Sequence, residues 1–86
     1  MSDLIKFERT SLANTSYGAN SCTQVKPTEP TDINYTWNLY NASVNTGNYC
    51  LIAEAHIAIK TIRVINVSSA AKEAAVHAHW IGIKKM

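Results

Sequence analysis

The strongest secondary-structure signal lies in residues 33–59, which read INYTWNLYNASVNTGNYCLIAEAHIAI. Its first seven residues alternate strictly between apolar and polar, and the apolar set is Ile33, Tyr35, Trp37 and Leu39. A period of two over this length is typical of a half-buried β-strand. Turn-forming residues follow at 45–48, and the strand pattern resumes at Tyr49. The segment therefore predicts an antiparallel β-hairpin that turns at Asn45-Thr46-Gly47.

The register of this hairpin follows from which residues share a face. The odd-numbered residues are apolar in both strands, from 33 to 39 and from 51 to 59, while Glu54, His56 and Lys60 are even-numbered. Residues paired across a hairpin lie on the same face of the sheet. The loop must therefore have an odd length, and a three-residue loop with Gly47 in the left-handed position meets this requirement. Trp37 then lies in the core. The predicted pairs are Leu39 with Ala53, Trp37 with Ala55, Tyr35 with Ile57, and Ile33 with Ile59.

The opposite face of the predicted hairpin is polar, and it is the first candidate for partner binding. Its side chains are Asn34, Thr36, Asn38, Glu54 and His56. An antiparallel sheet commonly packs one face on the core and leaves the other in water. Two interpretations stay open, a solvated sheet face and a platform that a partner covers.

Loop-forming residues divide the rest of the chain. A first strand is predicted from Leu4 towards Leu12 and a short second strand over Cys22–Val25, with a loop at 14–21 between them. Two prolines make residues 26–32 a connector, because proline fits neither a helix nor a central strand. The alternation of polar and apolar residues shifts by one position near Lys60, which predicts a bulge or bend at about Lys60-Thr61. Glu, Ala and Lys also permit a helix over 51–60 as an alternative.

Residues after Val67 predict a C-terminal helix. Ser68 or Ser69 is a suitable N-cap, the helix would run to about Trp80, and Gly82 would be its C-cap. Alanines at positions 71, 74, 75 and 78 form a stripe on this helix that can approach a sheet closely. The predicted fold is therefore a single α+β domain, with an antiparallel sheet of three to five strands and one C-terminal helix packed on one face.

The helix face opposite the alanines is the second candidate for partner binding. It carries Val76 and Trp80 beside Glu73 and His77, and an exposed tryptophan is a common anchor of protein interfaces. In one alternative, Val76 and Trp80 are the buried face and the alanines are exposed. In another, Trp80 folds under the helix end as part of the core.

Composition restricts the classes of partner. The 86 residues carry a net charge of +2 and only 16% charged residues, so the polar surface is mostly Asn, Ser and Thr. Such a surface suits packing against other proteins, because little charge repulsion keeps partners apart. Without a stripe of Lys and Arg, nucleic acid is not expected as a partner. We also expect no membrane span, no signal peptide and reduced thiols at Cys22 and Cys50, which together indicate the cytoplasm.

The sequence shows no constellation typical of a catalytic or metal site. His77 and His79 lie two apart on the predicted helix, so they diverge by about 200° and do not easily share an ion. Zinc-type histidine spacing, paired carboxylates and a glycine-rich phosphate loop are also missing from the sequence. We therefore expect a protein that is not an enzyme and holds no cofactor or metal.

The order of elements, strands and then one helix entered through V-S-S-A-A-K-E-A at 67–74, resembles that of many small phage and mobile-element proteins. The resemblance covers Lys60–Trp80. Some of these proteins are host-defence inhibitors, including anti-CRISPR proteins, which are compact α+β binders. The resemblance implies an inhibitor that occupies a surface of a larger protein complex in the host cytoplasm.

Two other hypotheses come from the residues themselves. A structural or assembly subunit, such as a small viral coat protein, would associate with further copies through exposed strand edges and reside in the virion. A single-strand nucleic-acid binder would stack bases on Tyr35, Trp37 and Tyr40, although two of these lie on the predicted core face.

Overall fold

The computed structural model describes residues 4–45 and 50–86, and its main elements are six β-strands in two antiparallel sheets. Sheet A has the order β1-β6-β3 and sheet B the order β2-β5-β4. A 3-10 turn over Ile57–Ile59 is the one helical element among the described residues. The strands are β1 Ile5–Tyr17, β2 Ser21–Val25, β3 Tyr35–Val44, β4 Leu51–His56, β5 Thr61–Asn66 and β6 Lys72–Lys84.

The two sheets pack on each other, because buried side chains from both belong to one hydrophobic core. Sheet B is short, with strands of five or six residues, whereas β1 and β6 of sheet A have 13 residues each. Sheet B therefore covers only part of the inner face of sheet A. The core consists of Tyr17, Tyr35, Trp37, Leu39, Ala42, Leu51, Ile62, Val64, Ala74, Val76, Ala78 and Trp80.

The predicted C-terminal helix is wrong, and with it the α+β class, because this segment is the central strand of sheet A. β6 pairs with β1 on one side and β3 on the other. Its even residues from Ala74 to Gly82 are buried, while its odd residues point away from the core. Ser68 and Ser69 precede the strand and cap no helix, and Gly82 lies opposite Trp37 within the sheet.

The predicted hairpin is also wrong, because β3 and β4 belong to different sheets. Trp37 pairs with Gly82 and Leu39 with Trp80, while Ala55 pairs with Ile62. The hairpin that does form is β4–β5, with a turn at residues 57–60 in which Lys60 has a positive φ of 53°. Thr46 and Gly47 of the predicted turn lie outside the described residues.

The face assignment behind that hairpin is correct for most of its residues. Tyr35, Trp37 and Leu39 are buried, as is Leu51, so the odd residues of β4 and those of β3 up to Leu39 do face the core, though from opposite sheets. Beyond the register shift after Leu39 the phase changes, and Ala42 is the buried residue. Three residues that were predicted to face the core, in the last two pairs of the predicted hairpin, are instead exposed: Ile33, Ile57 and Ile59.

Several smaller predictions are confirmed. The bend at Lys60-Thr61 is the end of the β4–β5 turn, the short strand over Cys22–Val25 lies within β2, and residues 26–32 contain no strand or helix. Cys22 and Cys50 are free thiols.

Two other predictions need correction. The first strand extends to Tyr17 and includes part of the predicted loop, and the alternative helix over 51–60 is strand and turn.

Asn66 joins two of the four connections that cross between the sheets, the β1–β2 turn and the β5–β6 crossover. This buried side chain places Nδ2 3.0 Å from the carbonyl oxygens of Tyr17, Gly18 and Ala70. Its Oδ1 accepts a hydrogen bond of 2.9 Å from the backbone N–H of Ser68. The β1–β2 turn and the β5–β6 crossover are therefore tied to one amide group.

Candidate interaction surface

The face of sheet A that points away from sheet B, termed the outer face here, follows from the register of β6. Even residues of β6 are in the core, so its odd residues point outwards, and the residues paired with them in β1 and β3 share that face. The outer face carries Ile5, Phe7, Arg9, Ser11 and Ser16 from β1, Thr36, Asn38, Asn41 and Ser43 from β3, and Glu73, Ala75, His77, His79, Ile81 and Ile83 from β6. Tyr40 lies in the register shift of β3 between Leu39 and Asn41, and its ring contacts with Phe7 and His79 place it on the same face.

One end of the outer face is an apolar cluster, formed by Ile5, Phe7, Tyr40, Ile81 and Ile83. Ile5 pairs with Ile83 and Phe7 with Ile81, and the Phe7 ring meets the Tyr40 ring edge-on with centroids 5.9 Å apart. Phe7 is 65% exposed, and Ile5 and Ile83 are each 52% exposed. Large apolar side chains that lie together and in water are a typical mark of an interaction site.

The side of β1 opposite Ile5 and Phe7 carries charges. The ammonium group of Lys6 lies 3.0 Å from Asp32 in the connector, 3.6 Å from Glu8 and 5.0 Å from the Tyr35 ring centre. The hydrogen bond to Asp32 raises the pKa of Lys6. The pKa of Asp32 is lowered, first by the backbone N–H of Asn34 and then by Lys6. Both groups are therefore held in their charged forms, and β1 keeps its charged side towards the connector.

The middle of the outer face is polar and joins the three strands. Ser11 Oγ lies 2.7 Å from Nδ1 of His77, and Ser43 Oγ lies 2.8 Å from Nε2 of His79. Because Ser11 is on β1 and Ser43 on β3, the two imidazoles bond towards opposite edges of the sheet. Burial, then Arg9 and then His79 lower the pKa of His77, so its neutral form is favoured.

These serine–histidine contacts hold strands together and do not form a metal site. As residues of a strand, His77 and His79 share a face, which the predicted helix would not have allowed. Within the described residues, however, no group of three His, Cys, Asp or Glu side chains could hold a metal ion. At the far end of the row, Glu73 accepts a hydrogen bond of 3.1 Å from Asn14.

The polar face predicted from the hairpin is split between the two outer surfaces of the molecule. Thr36 and Asn38 lie on the outer face of sheet A, whereas Glu54 and His56 lie on sheet B. Glu54 forms an ion pair of 3.3 Å with Arg63. Together with Ala55 and His56 they line a cavity of about 190 Å³, below the roughly 300 Å³ at which small-molecule pockets begin.

The residues predicted on the helix also separate. Val76 and Trp80 are buried in the core, and the indole N–H of Trp80 donates to Thr10 Oγ1 at 2.8 Å. Their side chains therefore offer no surface to a partner. Glu73 and His77 are on the outer face but towards its other end, since Thr36 and Asn38 pair with Ile83 and Ile81, while Asn34 is exposed just before β3.

The apolar cluster was not predicted from the sequence. Its signal is the alternation of Ile5 and Phe7 with Lys6 and Glu8, but an apolar row of this kind is ordinarily assigned to the core. Tyr35 and Trp37, two of the three proposed base-stacking residues, are in the core, and Tyr40 alone is exposed.

Comparisons with protein-family models, with curated proteins and with solved structures find no match to this chain. The strand-then-helix order that resembles phage proteins is not the order found, since Lys60–Trp80 contains β5 and most of β6. The assignments to phage, anti-CRISPR and inhibitor proteins are therefore without support. Among the described residues no helix is long and apolar enough to span a membrane.

Proposed function

We propose that this chain is a non-enzymatic protein-binding domain whose contact surface is the outer face of sheet A, with the apolar cluster at its centre. The observation that carries the proposal is the exposure of three large apolar side chains, Ile5, Phe7 and Ile83, at the paired positions of β1 and β6, beside the partly buried Ile81 and next to Tyr40. The polar residues around them, such as Thr36 and Asn38, supply the hydrogen-bonding rim that protein interfaces have.

The cluster is large enough to anchor a partner. Covering it removes on the order of 400 Å² of apolar surface from water, which is worth about 10 kcal/mol at roughly 25 cal/mol per Å². Association costs at least about 4 kcal/mol in lost freedom of motion. The remainder is at most about 6 kcal/mol, which corresponds to a dissociation constant of tens of micromolar from the cluster alone. Tighter binding needs the polar rim as well.

The test compares two matched isoleucines. Ile83 on the outer face and Ile52 on sheet B are 52% and 49% exposed, so Ile83→Ser and Ile52→Ser disturb folding to a similar, small extent. Proteins that co-purify with each tagged variant from the native source are quantified by mass spectrometry. We expect the main partner to be retained by wild type and Ile52→Ser, and to fall at least tenfold with Ile83→Ser. Equal retention by the two variants would contradict the proposal.

A second candidate function is a structural subunit that assembles with further copies of itself. The observation that favours it is the position of β1 at an edge of sheet A, where β6 is its one partner among the described strands. Exposed strand edges are sites of strand addition between chains.

A further inference from the structure

The free edge of β1 presents a defined set of backbone groups. The N–H of Lys84 donates to the carbonyl oxygen of Leu4 at 2.9 Å, which continues the register that pairs Ile5 with Ile83. Hydrogen-bonded positions alternate along an antiparallel strand. The even residues of β1 therefore bond to β6, and the odd residues Ile5, Phe7 and Arg9 direct their N–H and C=O groups to the free edge.

We infer that a second copy of this chain pairs with this edge, β1 against β1 in antiparallel orientation, around a two-fold axis at Phe7. The pairing goes beyond the binding role proposed above, since it uses the edge of sheet A rather than its outer face. A two-fold axis normal to the sheet places the outer faces of the two copies on the same side of the joined sheet. Odd residues must then pair with odd residues and even residues with even residues.

Charge favours the register with its axis at Phe7 over registers with the axis at a nearby residue. An axis at Lys6, Glu8 or Arg9 would set that residue against itself, and like charges directly opposite each other on paired strands are destabilising. An axis at Phe7 sets Lys6 opposite Glu8 of the second copy, and Glu8 opposite its Lys6. Two pairs of opposite charge then lie on the inner side of the joined sheet.

The same register brings the two apolar clusters together and provides hydrogen-bond partners for the backbone groups at the edge of β1. Phe7 lies beside Phe7 of the second copy, so the two clusters become one apolar surface across the axis. The free edge presents the backbone N–H and C=O groups of Ile5, Phe7 and Arg9. Pairing Phe7 with Phe7 of the second copy, and Ile5 with its Arg9, makes about six backbone hydrogen bonds. The result is a continuous six-stranded sheet built from two copies of sheet A.

The first experiment measures the mass of the purified chain by sedimentation equilibrium at micromolar concentrations. Glu8→Lys sets two pairs of like charge across the axis, and Glu73→Lys is its control, with the same change in net charge at the other end of sheet A. We expect a dimer for the wild type and for Glu73→Lys, and a dissociation constant raised at least tenfold by Glu8→Lys. A wild-type monomer at 100 μM, or equal weakening by both variants, would overturn the proposal.

The second experiment tests the register with short bismaleimide crosslinks, in a background with Cys22→Ser and Cys50→Ser. A thiol introduced by Phe7→Cys lies at the axis and crosslinks to its counterpart. Thiols introduced by Arg9→Cys lie about 13 Å apart along the strands, at about 3.3 Å per residue, and crosslink far less. A faster crosslink from Arg9→Cys refutes the register. Both experiments use the isolated chain, so their failure is separate from loss of the outer-face partner.

Discussion

Replacing Gly82 with alanine tests the central packing contact of sheet A by adding one carbon atom. A Cβ built at Gly82 lies 2.6 Å from Cζ3 of Trp37 and 2.8 Å from Cε3 and Cη2. Favourable carbon–carbon contacts are about 3.5–4.0 Å, so the indole must move by about 1 Å. Trp37 is 2% exposed, and its indole N–H donates to the carbonyl oxygen of Asp32 at 3.0 Å. The ring therefore has little room to move without losing this hydrogen bond.

The expected loss of stability combines three effects. Overpacking a core costs about 1–3 kcal/mol, and weakening the Trp37–Asp32 hydrogen bond costs about 1 kcal/mol. Alanine recovers about 0.5–1 kcal/mol because glycine loses more backbone entropy in a strand. The net destabilisation is about 1–3.5 kcal/mol. At roughly 4–8 °C per kcal/mol for a domain of this size, the midpoint of thermal unfolding falls by about 4–28 °C.

Thermal and urea unfolding followed by circular dichroism measure this effect against Gly18→Ala. The nearest atom to a Cβ at Gly18 is Ser21 Oγ at 3.9 Å, an ordinary contact, so that variant should stay within about 0.5 kcal/mol of the wild type. A double-mutant cycle with Trp37→Phe should show a coupling of about 1 kcal/mol or more with Gly82→Ala. Equal stability of the Gly82 and Gly18 variants would refute the pairing of β3 with β6 at this position.

Three further predictions follow from buried or bonded polar groups. Asn66→Ala leaves the carbonyl oxygens at these two sheet crossovers without their donor, so urea unfolding should show a loss of about 2–4 kcal/mol. Thr61→Val should stabilise the protein by about 1 kcal/mol, because Thr61 Oγ1 is buried without a hydrogen-bond partner among the described residues. NMR titration should place the midpoint of His77 below its ordinary value of 6.5. Because the unfolded chain then binds more protons, the free energy of unfolding should fall as pH drops through 6.5 towards that lower midpoint, and His77→Gln should reduce this dependence.

Each of these has a contradictory outcome. An unchanged urea midpoint for Asn66→Ala would mean that its amide does not hold the crossovers together. A loss of stability in Thr61→Val would show that the hydroxyl has a partner. A His77 midpoint above 6.5 would mean that an attractive charge, rather than burial, dominates its environment.

The alternation of residues in β3 and β4 predicts their faces but not their partners. Trp37 and Leu51 face the core as the parity argument requires, and a strand in either sheet of a sandwich satisfies that requirement. Which strand lies beside β3 depends on β6, some 40 residues further along the chain. No feature of residues 33–59 indicates that pairing, so the pattern within this segment predicts a local hairpin, which is wrong.

The β6 segment shows how local propensity competes with burial. Ser68, Ser69 and the alanines favour a helix, but the differences in propensity are only a few tenths of a kcal/mol per residue. As a strand, the segment buries Val76 and Trp80 on one side and leaves His77 and His79 on the other, and it bonds to two neighbouring strands. The alternation from Val76 to Trp80 was present in the sequence, and it is the better guide where alanines occupy the buried positions of a strand.

The outer face was the least predictable feature, because its orientation depends on a contact distant in sequence. β1 alternates Ile5 and Phe7 with Lys6 and Glu8, and either side can face inwards on pattern alone. The ion pair between Lys6 and Asp32 spans 26 residues and accompanies this orientation, but both side chains are partly exposed, and such pairs contribute little to stability. The pairing of β1 with β6 puts the even residues of β1 on the inner side, where Leu12 packs against the core, and leaves Ile5 and Phe7 on the outer face.

The two sides of sheet A differ in a way that motivates the proposed binding role. On the inner side, the even residues of β6 from Ala74 to Gly82 are buried against the core. On the opposite side, Ile5, Phe7 and Ile83 are exposed, and none of the described elements covers them. Burying these side chains against a partner yields free energy that the monomer does not use. A search for function should therefore begin with what contacts this end of sheet A.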